Sequence, residues 1–195
     1  MIEIYTQSSD GVHYAVAINQ REIVTSTFAA DEKTALHNIL SNLLFNVPFQ
    51  VFSDPSTQAK TTLKTLKDIY DGKEANINLP LSIDHLPTYT KKVLKATMAI
   101  PIGYVTSYGA IAQAVGGGAR AVGNTMACNL FPPIVPCHRV VKSNLSLGGY
   151  GAGGLRVKLE FLRRETRSYL KPKKVEVCGN QLWVFPVEYV LTKFV

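Results

Sequence analysis

Polar and apolar positions in the first 87 residues alternate with two different periods. Residues 13–18 and 22–28 are rich in β-branched and aromatic side chains, and residues 19–21 between them predict a hairpin connection. Apolar residues then recur at helical spacing after Asp31, the predicted N-cap, and again from about Ser56 until Gly72. The predicted inward positions of these two helices are Leu36, Ile39, Leu40, Leu43 and Leu44, then Leu63, Leu66 and Ile69. Residues 1–87 are therefore predicted to form a small α+β domain with an antiparallel sheet.

The pattern changes near Pro87, after which helical spacing dominates. One helix is predicted to end before Pro101, and Ser107 is predicted to cap another that runs through Val115. Glycines at residues 116–118 break that helix, and a short helix from residue 119 to about 129 follows at once. A last helix is predicted over residues 155–167. Residues 88–170 are thus predicted to form a mainly helical domain, whose two helices joined by a glycine turn resemble a helix-turn-helix.

Residues 171–195 form a tail with a pattern of its own. Two β-rich runs lie on either side of residues 178–180, and this predicts a hairpin. The tail is either an added edge of a sheet or a contact between copies of the chain, and ordinary packing is the favoured role.

Composition limits the class of protein. With 195 residues, 18% of them charged and 46% hydrophobic, the chain is expected to fold around one good core or two small ones. It contains neither an apolar run of membrane-spanning length nor a signal-peptide pattern, and its 3 cysteines do not make a disulfide framework. An intracellular protein is expected, with Cys128 as a buried core thiol and no Cys128–Cys178 disulfide.

Charge is divided unevenly along the chain. Residues 1–87 contain 6 lysines and arginines against 10 acidic residues, whereas residues 88–195 contain 15 against 4. A difference of this size suggests that the second half faces a polyanion, although an ordinary solvated basic surface gives the same count.

The chemistry is concentrated in residues 129–141, Asn-Leu-Phe-Pro-Pro-Ile-Val-Pro-Cys-His-Arg-Val-Val. A thiolate is a strong nucleophile, and a nearby base or cation raises its population near neutral pH. Side chains of consecutive strand residues point to opposite faces, so Cys137 and His138 can cooperate only at a bend or through a bridging water. Residues 1–87 contain no cysteine and only three histidines, so no closed zinc site is expected there.

The run from Pro136 to Val141, with Asn129 eight positions before Cys137, resembles the active-site signature of the alkylguanine-DNA alkyltransferases. The resemblance extends from about Thr88 to Glu165. It implies stoichiometric, irreversible transfer of an alkyl group from the 6-oxygen of guanine in DNA to Cys137, after the nucleotide is flipped out of the duplex. It also implies a monomer that approaches double-stranded DNA from the minor groove and needs neither metal nor cofactor. The expected location is the cytoplasm, or the nucleus of a eukaryotic host.

The same resemblance implies catalytic roles for five residues. Glu165 orients His138, which takes the proton of Cys137 through a water molecule. Tyr108 donates a hydrogen bond to the departing guanine or contacts the adjoining phosphate, and Asn129 braces the loop. Glu160 on the same helix is a rival acid, but the family's spacing of seven residues between a lysine and the acid, here residues 158 and 165, favours Glu165.

Further positions are implied for DNA and for the alkylguanine pocket. Arg120 would fill the space that the flipped base leaves, and Arg139 would hold the helix-turn-helix to the active-site strand. Small residues on the second helix allow close approach to DNA, although tight helix packing also selects them. The implied DNA-binding residues are Arg120, Tyr108, Ala119, Ala121, Gly123, Met126 and Arg139; those of the pocket are Val140, Tyr150, Gly151, Ala152 and Met126. The glycine-rich segment carries one residue more than the family pattern between Tyr150 and Gly153.

Three other functions remain open at this point. A cysteine hydrolase also uses Cys and His, but it needs no basic helix-turn-helix. A non-catalytic alkylguanine binder of the alkyltransferase-like type has its nucleophile replaced, commonly by Trp, whereas this chain has Cys137. A simple helix-turn-helix regulator leaves the Pro-Cys-His-Arg run unexplained.

Overall fold

A computed structural model describes residues 1–43 and 46–194 of the chain. The chain forms two compact units. The first comprises Met1–Tyr70, Glu74–His85 and Leu130–Ile134. The second comprises Asp71–Lys73, Leu86–Asn129 and Val135–Val195. Leu44, one of the predicted inward residues, lies outside the described residues.

The first unit contains the elements β1 (Ile2–Ser9), β2 (Val12–Asn19), β3 (Glu22–Ala29), α1 (Glu32–Asn42), β4 (Phe49–Phe52) and α2 (Thr57–Tyr70). Its strands form a four-stranded sheet with the order β3-β2-β1-β4. The predicted hairpin is β2–β3, and β1 adds a third antiparallel strand. The edge strand β4 pairs with β1 in parallel, so the sheet is mixed rather than purely antiparallel.

Helices α1 and α2 cover opposite faces of this sheet. Ala15 belongs to the cluster that α1 completes, whereas Tyr14 packs edge-on against Tyr70 at the end of α2, with ring centroids 5.8 Å apart. Consecutive strand residues point to opposite faces, so the two helices must lie on different sides. Asp31 caps α1 as predicted, since its side chain accepts a hydrogen bond from the Thr34 amide.

The predicted inward face of α1 is wrong at one position. Leu40 is 40% exposed, whereas Ile39 is fully buried. Consecutive helix residues are separated by about 100° around the axis, so both cannot face the sheet. The predicted face of α2 is confirmed, because Leu63, Leu66 and Ile69 are all buried.

The second unit contains the elements α3 (Thr88–Met98), β5 (Tyr104–Ser107), α4 (Tyr108–Val115), α5 (Ala119–Ala127), β6 (Val140–Val141), α6 (Gly154–Arg164), β7 (Lys173–Val177), β8 (Asn180–Pro186) and α7 (Glu188–Leu191). Its strands form a four-stranded sheet with the order β6-β5-β8-β7, of which the sequence pattern predicted only the C-terminal hairpin. Strands β7 and β8 form an antiparallel hairpin, and β8 also pairs with β5. The C-terminal residues are therefore part of the same sheet as the strands β5 and β6.

Helices α4 and α5 form the helix-turn-helix. Ser107 caps α4 by accepting a hydrogen bond from the Ala110 amide at 3.0 Å, as predicted. At Gly117 the backbone has a φ of +89°, and a Cβ atom there would lie 2.7 Å from the Tyr89 hydroxyl of α3. Only glycine fits both the conformation and the space, so this residue fixes the turn between the two helices.

Within residues 1–43 and 46–194, no helix is long and apolar enough to cross a membrane.

Candidate active site

Cys137, His138 and Arg139 form a single turn of 3₁₀-helix just before β6. The turn is closed by a hydrogen bond from the Arg139 amide to the Pro136 carbonyl at 2.9 Å, and all three side chains are buried. A 3₁₀ turn separates successive side chains by about 120°, not by the 180° of a strand. This is the bend that the sequence required for Cys137 and His138 to serve one site.

Glu165, the C-cap residue of α6, binds the side chains of both His138 and Arg139. Its Oε1 lies 2.8 Å from His138 Nε2 and 2.8 Å from Arg139 Nη2, and Arg139 Nε donates to Oε2 at 2.9 Å. The remaining Arg139 nitrogen, Nη1, donates to the Ile100 carbonyl at 2.7 Å. The rival acid Glu160 instead accepts a hydrogen bond from Arg163 on the same helix. The structure therefore brings Glu165, and not Glu160, to His138.

The electrostatics of this cluster fix the protonation of His138. Burial alone would raise the pKa of Glu165, but His138 and Arg139 outweigh it and lower that pKa to about 2. Burial lowers the pKa of His138, against the opposing effect of Glu165. A neutral imidazole next to an ionised carboxylate must place its proton on Nε2, where the carboxylate accepts it. The lone pair is then on Nδ1, which is buried and has no hydrogen-bond partner among the described residues.

Cys137 is 6% exposed, and its sulfur is held by Asn129. The Asn129 amide Nδ2 donates to Cys137 Sγ at 3.2 Å and to the Val135 carbonyl at 3.0 Å. Burial raises the pKa of the thiol, while the Asn129 hydrogen bond and the Lys158 charge oppose that rise. The sequence suggested that nearby cations would favour the thiolate, but desolvation wins here. The resting side chain is a thiol that needs a base.

The sequence motif marks Lys158 only by its separation from Glu165 and implies no chemical role for it. It is fully buried on α6, and its ammonium donates to the Val140 carbonyl at 2.5 Å and to the Gly149 carbonyl at 3.0 Å. Burial lowers its pKa to about 8, against the opposing effect of Cys137. The signal that could have found it is its separation from Glu165. Seven residues are two helical turns, so both side chains leave the same face of the helix.

A pocket of about 460 Å³ opens onto Cys137. Its lining residues are Tyr108, Ala119, Arg120, Gly123, Met126, Ala127, Cys137, Lys142, Gly148, Gly149, Tyr150 and Gly151. Besides α5, the glycine-rich segment forms part of its wall. A Cβ at Gly148 would lie 3.0 Å from the Tyr108 ring, so glycine at this position allows Tyr108 to reach the pocket. Burial, and then the charge of Cys137, raise the pKa of Tyr108, which keeps its hydroxyl protonated.

Most predicted pocket and DNA-binding residues line this cavity, but four do not. Val140 is fully buried and contributes its carbonyl to Lys158, and neither Ala152 nor Ala121 is among the lining residues. Arg139 is buried with its guanidinium bound to Glu165 and Ile100, so it is not placed to contact DNA. The sequence did not indicate that the Arg139 side chain would be buried and bound to Glu165 and Ile100. Arg120, by contrast, is exposed at the rim of the pocket.

The other two cysteines differ from expectation. Cys128 was predicted to be a buried core thiol but is exposed, because it follows the last turn of α5. Cys178 is also exposed, and both are free thiols. In the described part of the chain, no group of three or more His, Cys, Asp and Glu side chains is arranged to hold a metal ion.

Comparison with known proteins identifies the family. A family model described as the DNA-binding domain of 6-O-methylguanine DNA methyltransferase matches residues 88–167. A methylated-DNA–protein-cysteine methyltransferase of Methanocaldococcus jannaschii is 36% identical over 120 residues, which cover 60% of this chain and 70% of that protein. A similar relative from Methanothermobacter thermautotrophicus is 32% identical over 114 residues, 58% of this chain and 64% of that protein. The chain spans about half to two thirds of the length of several such curated relatives.

Solved structures give the same result for the fold. The crystal structure of O6-methylguanine-DNA methyltransferase from Pyrococcus kodakaraensis has a TM-score of 0.66 and 25% identity, and the match covers 85% of this chain and 99% of that one. The α+β fold with an N-terminal sheet domain and a helix-rich second domain is thereby confirmed. Fold and site together define the class: a helix-turn-helix protein with a buried, pocket-facing cysteine. The chain belongs to the 6-O-methylguanine DNA methyltransferase family.

Proposed function

We propose that this protein repairs DNA by moving an alkyl group from the 6-oxygen of guanine to Cys137, once per chain. The observation that carries the proposal is the position of the Cys137 sulfur. It faces a pocket formed by the second helix of the helix-turn-helix and by the glycine-rich segment, and it is the one thiol in that lining. Relatives carry the name methylated-DNA–protein-cysteine methyltransferase.

The proton of Cys137 leaves through His138. Because Glu165 accepts the Nε2 proton, the Nδ1 lone pair is the base, and a water molecule links it to the thiol. The thiolate sulfur then attacks the alkyl carbon. A carbon–sulfur bond forms while the bond from carbon to the guanine 6-oxygen breaks, and that electron pair stays on the guanine. Arg139 keeps Glu165 ionised, so that the acid orients the base without taking its proton.

The leaving guanine needs a hydrogen-bond donor. Tyr108 lines the pocket with a hydroxyl whose pKa is raised by burial, so it stays protonated near neutral pH. It donates to the guanine as negative charge develops there. Asn129 holds the sulfur in line through its hydrogen bond to Sγ. The product is a thioether. The proposed steps regenerate no free thiol, so each chain acts once, and none of these steps uses a metal or an organic cofactor.

A base stacked in a duplex cannot reach a sulfur inside a pocket, so the alkylated nucleotide must be flipped out at a cost of a few kcal/mol. Arg120 is exposed at the pocket rim and is the side chain proposed to occupy the vacated space. Ala119 and Gly123 on the same wall allow close approach to the minor groove. The proposed partner is double-stranded DNA bound by a monomer, in the cytoplasm or, in a eukaryote, the nucleus.

The test is transfer of a label. The protein is incubated with duplex DNA that carries an isotopically labelled methyl group on a guanine 6-oxygen, and the modified residue is mapped by mass spectrometry. We expect one label per chain, on Cys137, and none in a Cys137→Ser variant. Repeated turnover without a stable adduct would instead indicate a hydrolase, and DNA binding without any transfer would indicate a non-catalytic binder.

A further inference from the structure

A second cavity in the same unit is not used by the proposed chemistry. It has a volume of about 640 Å³ and lies between α4 and the C-terminal hairpin. Three of its lining residues, Pro172, Trp183 and Phe185, come after residue 167, where the match to the family model ends. The groove is therefore a feature of this chain's own C-terminal segment, and we call it the hairpin groove.

The hairpin that supplies these residues is firmly attached. Strand β8 pairs with β5 through Val105 and Phe185, and the Thr106 hydroxyl donates to the Trp183 carbonyl at 2.7 Å. At the hairpin turn, the Asn180 amide donates to the Ala114 carbonyl near the end of α4 at 2.9 Å. These bonds fix the position of Trp183 relative to the helix-turn-helix, yet its side chain is 49% exposed. A rigidly held, half-exposed tryptophan is a typical recognition residue.

The hairpin groove is lined mainly by apolar residues, and a positively charged side chain lies beside it. The Lys174 ammonium lies 4.9 Å from the centre of the Trp183 ring. An apolar floor packs well against deoxyribose, an indole N–H can donate to a phosphate, and a lysine neutralises phosphate charge. This combination fits a sugar–phosphate strand.

The hairpin groove and the alkylguanine pocket are lined by neighbouring residues of the chain. Tyr108 lines the pocket, while its chain neighbours Ser107 and Gly109 line the hairpin groove. Lys142 lines the pocket, while Ser143, the next residue, lines the hairpin groove. Successive Cα atoms are about 3.8 Å apart, so the walls of the two cavities lie close together at these residues.

A second copy of the chain is a weaker candidate for this surface. Strand β7 is the free edge of its sheet, and it begins with Lys173 and Lys174, both exposed. Lysines on an edge strand discourage pairing with another strand, and they attract a polyanion. Charge therefore favours DNA over a protein partner at this hairpin.

We propose that the hairpin groove binds the DNA backbone next to the flipped nucleotide, with Trp183 and Lys174 as its main contacts. The C-terminal hairpin then enlarges the DNA-binding surface beyond the helix-turn-helix. This proposal rests on the proposed function, because it assumes that an alkylated nucleotide occupies the pocket.

Trp183 is the single tryptophan of the chain, so its fluorescence reports directly on the hairpin groove. A Cys137→Ser protein, which cannot transfer, is titrated with duplex DNA containing O6-methylguanine. We expect a saturable change in Trp183 emission. Trp183→Ala should weaken duplex affinity about tenfold, about the effect of losing one hydrogen bond to a charged group. Phe49→Ala, at an equally exposed aromatic residue of the first unit, is the control and should leave affinity unchanged.

A second pair of variants protects the test against misfolding of the Trp183 variant. Lys174→Gln should lower the salt dependence of binding by at most about one unit, whereas Lys60→Gln, at an exposed lysine of the first unit, should not change it. Each of these two substitutions removes one positive charge, so the variants differ only in where that charge is lost.

The rate of transfer from a free alkylated base separates this proposal from the proposed function. That rate should be the same in Trp183→Ala as in the native protein, since a free base does not touch the hairpin groove. Unchanged emission together with native affinity in both variants would overturn the groove proposal while leaving the function intact. So would light scattering that finds a native dimer and a monomeric Trp183→Ala protein, because the surface would then join two copies. Absence of any transfer by the native protein would overturn the function, and the emission titration would still report binding.

Discussion

At the residue scale, Glu165 controls the site because it is a buried charge with two partners. Its carboxylate neutralises Arg139 and fixes the proton of His138 on Nε2. A buried ion pair contributes little net stability compared with an apolar pair, but removing one partner leaves an uncompensated charge. The same residue therefore links the fold of the active-site turn to its chemistry.

Replacement of Glu165 by Gln should slow alkyl transfer at least about tenfold, because it weakens a base whose contribution is typically 10² or more. It should also lower the free energy of unfolding by ~3 kcal/mol, because Arg139 loses its counter-charge. Transfer is measured as single-turnover rates on duplex DNA, and stability by urea unfolding. DNA affinity should stay nearly native, since Glu165 is buried away from the pocket lining. Glu160→Gln is the matched control, and a larger loss in that variant would contradict the assignment.

Lys158 gives a prediction for stability against pH. Its pKa is about 8 in the folded protein and 10.5 in the unfolded chain, so between these values the unfolded chain binds more protons. Stability from this group therefore rises with pH across that window, by about 3 kcal/mol in all. Relative to Lys158→Met, the free energy of unfolding of the native protein should increase from pH 8 to pH 10. A Cys137→Ser background removes the charge coupled to Lys158. If the difference in free energy of unfolding between the native protein and Lys158→Met stays constant or falls as the pH rises, the Lys158 ammonium is not desolvated.

At the element scale, the second helix of the helix-turn-helix combines small residues with one arginine. Ala119 and Gly123 line the pocket wall, and Arg120 stands exposed between them. Tight helix packing explains small residues, but it does not explain an exposed arginine at the rim of a pocket. If Arg120 acts as proposed, extrusion of the nucleotide and chemistry on the base depend on different residues.

Arg120→Ala should therefore act on duplex DNA alone. The single-turnover rate on a duplex substrate should fall tenfold or more if Arg120 supplies at least ~1.4 kcal/mol to the flipped state. The rate with free O6-benzylguanine, which needs no flipping, should stay nearly native. Arg21→Ala, at an exposed arginine of the first unit, controls for the loss of one charge. Equal losses on both substrates would assign Arg120 to the pocket, and an unchanged duplex rate would remove it from flipping.

Sequence patterns predicted the elements whose signals are local. The Asp31 and Ser107 caps and the glycine turn at residues 116–118 each depend on a few neighbouring residues. Short strands were missed, because β5 and β6 have only four and two residues and no period can be read over such lengths. Mixed pairing of β4 depends on a partner more than 40 residues away.

The sequence identified the site residues that belong to a motif. It did not predict the features that depend on tertiary contacts. Cys137, His138 and Asn129 follow from the signature, and Glu165 follows from its spacing to Lys158. Arg139 is bound to the Ile100 carbonyl, 39 residues away, and Lys158 to the Val140 carbonyl, 18 residues away, and contacts at such separations cannot be read from a local pattern. Desolvation of the Cys137 thiol likewise follows from packing, so the direction of its pKa shift could not be predicted from neighbouring charges.

At the scale of the whole molecule, the three cysteines differ in the chemistry that can reach them. Cys128 and Cys178 are exposed and free, whereas Cys137 is buried and its pKa is raised by burial. A thiol reacts faster with a small reagent when it is more exposed and when more of it is present as the thiolate. For the proposed reaction with alkylated DNA we expect position to decide, because Cys137 is the one cysteine among the residues that line the pocket.

Two alkylating agents should therefore select different cysteines of the same protein. Iodoacetamide at pH 7.5 should modify Cys128 and Cys178 well before Cys137. DNA containing O6-methylguanine should modify Cys137 alone, with one methyl group per chain. Peptide mapping by mass spectrometry at short times distinguishes the two patterns. A Cys128→Ser/Cys178→Ser double variant should keep the native transfer rate and become nearly inert to iodoacetamide. Methyl groups from DNA on either exposed cysteine would mean that exposure, and not the pocket, directs the transfer.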